Sequence, residues 1–195
     1  MSIGTASSLE QSGERSAPSP PWYSFNAAGW QILSLNSEAP HDPGSDQLSW
    51  LRAKLDRSRS RGNCRLAFWH RPRYSAGAHG DQTDVAPLWD ALRGRARLIL
   101  NGHDHNMQRF APIGGITEIV AGAGGRSLYP VNADSRLRFA NSSRYGALRL
   151  ELSRHHASFE SVAADGAILD SGQARCKPEL TRQARRARQA RRARR

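Results

Sequence analysis

The order in which apolar runs and polar breaks follow one another constrains this chain most. Cys64–Trp69 and Ala96–Leu100 are short apolar runs of strand type, and each is closed by a histidine motif. The first runs into Phe68-Trp69-His70-Arg71-Pro72, the second into Asn101-Gly102-His103-Asp104-His105. Between them Val85, Leu88, Trp89 and Leu92 recur at helical spacing. Leu48, Leu51 and Leu55 do the same ahead of the first run, with Ser45 or Asp46 placed to cap the helix. Trp22–Phe25 and Trp30–Asn36 read as two strands joined by a hairpin-like turn, Asn26-Ala27-Ala28-Gly29. Ile116–Ala121 is a further strand, followed by Gly122, Gly124 and Gly125. Tyr145–Leu152 and Ala157–Ala163 alternate as the arms of a hairpin do, and Ala167–Asp170 is a last short strand. Ser37–Pro43 and Arg71–Asp81 are loops, and Arg57–Asn63 is a polar turn. Strands and helices that alternate and then give way to strands predict a mixed α/β architecture with an antiparallel finish.

The 195 residues suffice for one domain and its core. The composition shifts twice. Residues 1–21 are Ser-, Gly- and Pro-rich and read as disordered, residues 22–174 read as the globular part, and residues 175–195 form an Arg-rich tail. That tail holds ten Arg or Lys and one Glu, so +9 of the net +12 belongs to it and only +3 to the rest. Nucleic acid or an acidic surface is its candidate partner through counterion release. The globular part lacks the interleaved aromatic and basic residues that base stacking uses, which favours a solvated extension. No run approaches the ~18 apolar residues of a membrane span. No signal-peptide pattern is visible, and secretion is expected only if a segment upstream of Met1 carried one. Cys64 and Cys176 lack metal-site spacing, so a pair and two free thiols both remain open. A pair would point to an oxidising compartment.

Neutral imidazole at strand ends is a common way to hold a transition ion. His103 and His105 stand two apart, where Gly102 lets the backbone turn sharply. Asn101 is placed to orient a neighbour. One His-x-His pattern is weak, but three histidines closing two β-runs with a helix between them point to metal.

Residues 22–174 resemble the C-terminal half of a calcineurin-like metallophosphoesterase, closest to the purple acid phosphatase-like bacterial enzymes. The stretches that carry the resemblance are Trp22-Tyr23-Ser24-Phe25, Leu35-Asn36-Ser37, Gln47-Leu48-Ser49-Trp50-Leu51, Phe68–Pro72, Asn101–His105 and Gly122-Ala123-Gly124-Gly125. The resemblance implies half of a four-layer α/β/β/α sandwich with mixed sheets and a two-metal site at strand ends. It implies hydrolysis of a phosphate ester by metal-bound hydroxide, with Zn, Fe or Mn as the ions. His70 and His103 would ligate one metal and His105 the other. His79, in Tyr74-Ser75-Ala76-Gly77-Ala78-His79-Gly80, would contact the phosphate or the leaving group. Similar bacterial phosphatases carry cysteines where Cys64 and Cys176 stand, which implies that the two pair.

The chain departs from the family pattern in two ways. A Tyr-Glu-Arg often follows the last motif, and here Met107-Gln108-Arg109 keeps only the arginine. The family's earlier motifs, which supply a bridging carboxylate, a second Asp, an Asn and a further His, do not occur before His70. Asp42, Asp46 and Asp56 stand in other contexts. The expectation is a truncated phosphoesterase with no competent two-metal site and near-background turnover alone. A half-sandwich is also expected to self-associate through an exposed sheet face or edge. The rival reading is a non-catalytic, degenerate half-domain whose basic tail binds nucleic acid or acidic surfaces.

Overall fold

The computed structural model describes residues 21–57 and 64–176. The Ser/Pro-rich start, most of the expected turn at 57–63 and nearly all of the basic tail lie outside the described residues.

The chain opens with strands β1 (Tyr23–Ala27) and β2 (Trp30–Ser34), paired antiparallel. The turn is tighter than the expected four residues. Ala27 already pairs with Trp30, leaving only Ala28 and Gly29, with φ of 48° and 84°. Two consecutive positive φ values make the turn whose twist matches the strands it joins. Helix α1 (Asp46–Arg57) follows, and its cap is settled by one bond: the Leu48 N–H donates to Ser45 Oγ at 3.2 Å. Next come β3 (Arg65–Phe68), α2 (Ala86–Leu92) and β4 (Leu98–Asn101). The chain continues through β5 (Met107–Phe110), β6 (Thr117–Ala121), β7 (Leu137–Asn141), β8 (Gly146–Leu152), β9 (His156–Ala163) and β10 (Ile168–Arg175).

Seven strands form one sheet in the order β1-β2-β3-β4-β6-β5-β7. Its central four, β2, β3, β4 and β6, run parallel, and its outer strands are antiparallel to their neighbours. The last three strands form a separate antiparallel sheet, β10-β9-β8. The mixed α/β architecture with an antiparallel finish is therefore what the chain adopts. Two strands, β5 and β7, have no counterpart in the pattern of apolar runs, and β10 extends well past Asp170.

The central strands bury both faces, and period-two alternation divides them. Leu33, Ala67 and Ile99 sit in register and pack under the helices with Leu48, Leu51, Leu55, Leu88, Trp89 and Leu92. Their neighbours Ile32, Leu66 and Leu98 face the second sheet and meet Phe159, Ala157 and Ala174. The described residues thus make three layers, helix on sheet on sheet. Cys64 and Cys176 form a disulfide at one margin of that inner core, with Cα atoms 5.0 Å apart. The bond ties the start of β3 to the end of β10. Edge strand β1 exposes Tyr23 (56%) and Phe25 (45%), stacked on one another.

Candidate metal and phosphate site

Parallel strands place their C-terminal ends side by side, and ligand sites in open α/β sheets gather there. β3 and β4 end at neighbouring positions, so the segments that leave them are brought together. The Asn101 side-chain N–H donates to the Trp69 carbonyl at 3.0 Å, and the Gly102 N–H donates to the His70 carbonyl at 3.1 Å. Asn101 therefore does orient a neighbour. Its own Oδ1 is buried without a hydrogen-bond partner.

His70 and His103 meet. Nε2 of His70 lies 3.2 Å from Nδ1 of His103, with the rings edge to face. The His79 ring lies against His103 from the loop after β3, 4.2 Å between centroids. Burial, then the neighbouring His79 and His70, lower the pKa of His103 below the ordinary imidazole value. The backbone here is strained at a residue other than the one the sequence suggests. Gly102 is not the positive-φ residue; His103 is, at φ 67°. The Asp104 N–H donates back to the Gly102 carbonyl at 2.9 Å across it. That is a γ-turn of the rarer, strained hand, with a histidine at its apex. The bond from the Asn106 N–H to the Asp104 carbonyl, 2.8 Å, puts His105 at the centre of a second three-residue turn.

His105 turns to other company. Its Nδ1 donates to the Ser127 carbonyl at 3.1 Å, and its ring stacks on Tyr129 with centroids 4.3 Å apart. A ligating histidine commonly uses one ring N–H in this way, which leaves Nε2 free. Tyr129 also approaches His79, at 5.6 Å, so it stands between the two histidines.

Beneath the histidines lies a polar network that the sequence does not advertise. Asp104, the middle residue of His103-Asp104-His105, is fully buried. It accepts from the Ser75 hydroxyl and from the His79 N–H at 3.1 Å, and its Oδ1 lies 2.9 Å from His79 Nδ1. Gln108 reaches Ser75, Ala76 and Asn106. Glu118, also fully buried, accepts the Arg73 N–H at 2.8 Å and the Tyr74 N–H at 3.0 Å. Arg136 grips Asp81 with both terminal nitrogens, at 2.7 and 3.0 Å. Gly77 and Gly122 complete the packing. A Cβ on either would overlap Asp104, its carboxyl carbon in the first case and its backbone carbonyl in the second. The only legible signal for this network was that an Asp, a Ser and a Gln stood close to the motifs.

The donor set can be tested against a metal centre. Two nitrogens on one tetrahedral ion, with bonds of ~2.0–2.1 Å, stand roughly 3.3 Å apart, close to the His70–His103 separation of 3.2 Å. That pair fits one ion. Two ions need carboxylate charge, and both oxygens of the buried Asp104 are already engaged by Ser75 and His79. Among the described residues no group of three or more His, Cys, Asp or Glu is disposed to hold a metal. The described residues fit part of a two-ion site and do not complete one.

No protein-family model matches the chain. Purple acid phosphatase 21 of Arabidopsis thaliana is 34% identical over 97 residues, which is 47% of this chain and 22% of that protein. A purple acid phosphatase from yellow lupin seeds superposes with a TM-score of 0.70 at 19% identity, covering 78% of this chain and 32% of the other. GAP50, the anchor in the inner membrane complex of Plasmodium, superposes at 0.67 with 17% identity, covering 82% of this chain and 55% of the other. The chain spans about a fifth of the length of that curated Arabidopsis relative. The fold is that of calcineurin-like metallophosphoesterases, and over the matched residues the chain is similar to purple acid phosphatases, as the C-terminal part of such a protein would be.

Proposed function

We propose that this chain carries the histidine side of a metal-dependent phosphoesterase centre. His70 and His103 hold one ion, His105 contributes to a second, and His79 contacts the phosphate or the leaving group. The observation that carries the reading is the 3.2 Å approach of His70 to His103 at the ends of adjacent parallel strands. Zn, Fe or Mn suits imidazole nitrogen. Such ions polarise phosphoryl oxygens and activate water. The chain's own residues supply the rest: Asn101 and Gly102 hold the two ligand segments in register, and Asp104 fixes the loop that carries His79. The carboxylates that a two-ion centre requires are not found among the described residues, so near-background hydrolysis is expected from the chain alone. Supplying the preceding half of a related purple acid phosphatase should restore hydrolysis of an aryl phosphate, and His103→Ala in that restored protein should abolish it. Unchanged turnover in His103→Ala sinks the reading.

A second reading has one observation in its favour. The same fold serves as an anchor in GAP50, so a non-catalytic module is compatible with this architecture. Under that reading the basic tail contacts nucleic acid or an acidic surface, and the restored protein stays inactive. Self-association has its candidate surface at β1, with Tyr23 and Phe25 exposed; a monomeric sedimentation profile would count against it. Among the described residues no helix is long and apolar enough to cross a membrane.

A further inference from the structure

We propose that Asp104 is a positioning residue for His79, holding that ring as the Nδ1–H tautomer so that Nε2 is the atom left for a phosphate or leaving-group oxygen. The inference rests on the reading of His79 as that contact.

The proton order can be followed from a backbone group that has no choice. The Ala76 N–H donates to Gln108 Oε1 at 2.8 Å, which fixes which way the Gln108 amide faces. Its Nε2 then donates to Ser75 Oγ at 2.9 Å and to Asn106 Oδ1 at 2.8 Å. Ser75 Oγ also accepts the Gly77 N–H at 3.0 Å. With two N–H groups directed at its oxygen, the Ser75 hydroxyl has its own proton left to give, and Asp104 Oδ2 is the acceptor it reaches. Asp104 Oδ1 already accepts the His79 backbone N–H at 3.1 Å. Both Asp104 oxygens are thereby acceptors, and in that arrangement His79 Nδ1, at 2.9 Å, is the donor. Each link is buried except the last, where the His79 side chain is 40% exposed. The network thus runs from the core outward and ends on a ring that faces solvent.

The same chain of bonds explains Gln108, where the resembling family has a carboxylate. Glu at this position has no N–H to give Ser75. The hydroxyl would then be drawn towards residue 108 and away from Asp104. Gly77 belongs to the device too, since any Cβ there would displace the Asp104 carboxyl group.

The test is the ring tautomer of His79 in the full chain, read by two-bond 1H–15N correlation at a pH where the imidazole is neutral. The expected wild-type result is a single Nδ1–H pattern. Asp104→Asn should lose it, by replacing an acceptor-only group, while Gln108→Glu should keep it, since redirecting the Ser75 proton leaves Asp104 an acceptor for His79 Nδ1. If Asp104 merely braced the loop through Ser75 and the His79 backbone, the wild-type ring would be Nε2–H or averaged between tautomers. Either of those results overturns the proposal, even if neither variant folds. Because no turnover enters this measurement, failure of the phosphoesterase reading would be seen separately, as hydrolysis unaffected by His103→Ala.

Discussion

Two loops frame the histidines, and different forces hold them. The loop from Arg71 to Asp84 is bolted by buried or half-buried polar side chains. Glu118 takes two of its N–H groups, Asp104 grips its middle, Arg136 clamps Asp81, and Arg71 spans from the Ser37 carbonyl to Asp84. The stretch from Gly124 to Tyr129 is held at Ser127 and Tyr129, both against His105. The Tyr129 N–H donates to the His105 carbonyl at 2.9 Å, its ring stacks on His105, and the residues from Gly124 to Ser127 are exposed. One wall of the site is therefore built to a single geometry, while the other has room for different side chains at nearly constant stability. The contrast teaches that conformational precision here is concentrated around His79.

The largest departure should come from the bolt under the first loop. Burial outweighs the two N–H donors and pushes the Glu118 carboxyl from its ordinary 4.5 up to about 8. An acid with a raised folded-state value binds its proton more tightly when folded. Its contribution is therefore complete below about pH 4.5 and is lost progressively as the pH climbs towards about 8. Every tenfold difference in proton affinity between the folded and unfolded chain is worth about 1.4 kcal/mol. Urea midpoints for the wild type are expected to fall across that window, and Glu118→Gln should flatten the slope. A wild-type profile that is already flat would mean that the N–H donors win over burial.

A smaller loss is expected from Gly77→Ala. Its Cβ would overlap Asp104, and overpacking of this kind costs about 1–3 kcal/mol. The thermal melt should shift down and the His79 ring signals should move together. For the second wall, Tyr129→Ala removes one stacked pair and should cost only about 0.5–1.5 kcal/mol. His105 signals, and not those of His70, should report it. Smallest of all, Gly124→Ala and Gly125→Ala meet nothing nearby and have no positive φ, so they should stay within about ±0.5 kcal/mol. A clear destabilisation by either would erase the distinction between the two walls.

Much of the scaffold was legible because single helices and strands declare themselves by spacing. Leu48, Leu51 and Leu55 gave α1, and the alternation of 145–152 and 157–163 gave the β8–β9 hairpin. β5 was hidden because its middle residues, Gln108 and Arg109, are polar. One is buried as a network amide, and the other pairs with Asp170 at 2.6 and 2.7 Å. β10 reads as too short because Gly172 interrupts it. The structure shows why glycine is tolerated there: the Phe159 ring on the paired strand covers the place a side chain would fill. At the site, the approach of His70 to His103 followed from strand ends. His105 beside Tyr129, and Asp104 under His79, depend on contacts between residues far enough apart in sequence that no local pattern reports them.

The disulfide has a topological consequence. It closes a covalent ring from Cys64 to Cys176, two residues 112 apart in sequence, and His70, His79, His103 and His105 all lie within that ring. A single backbone cut in either loop would open the ring and release nothing. Both pieces would travel as one molecule until a reductant reached a bond that is itself buried. For a site with one exposed wall, a nick is then a break in the chain without being a loss of parts.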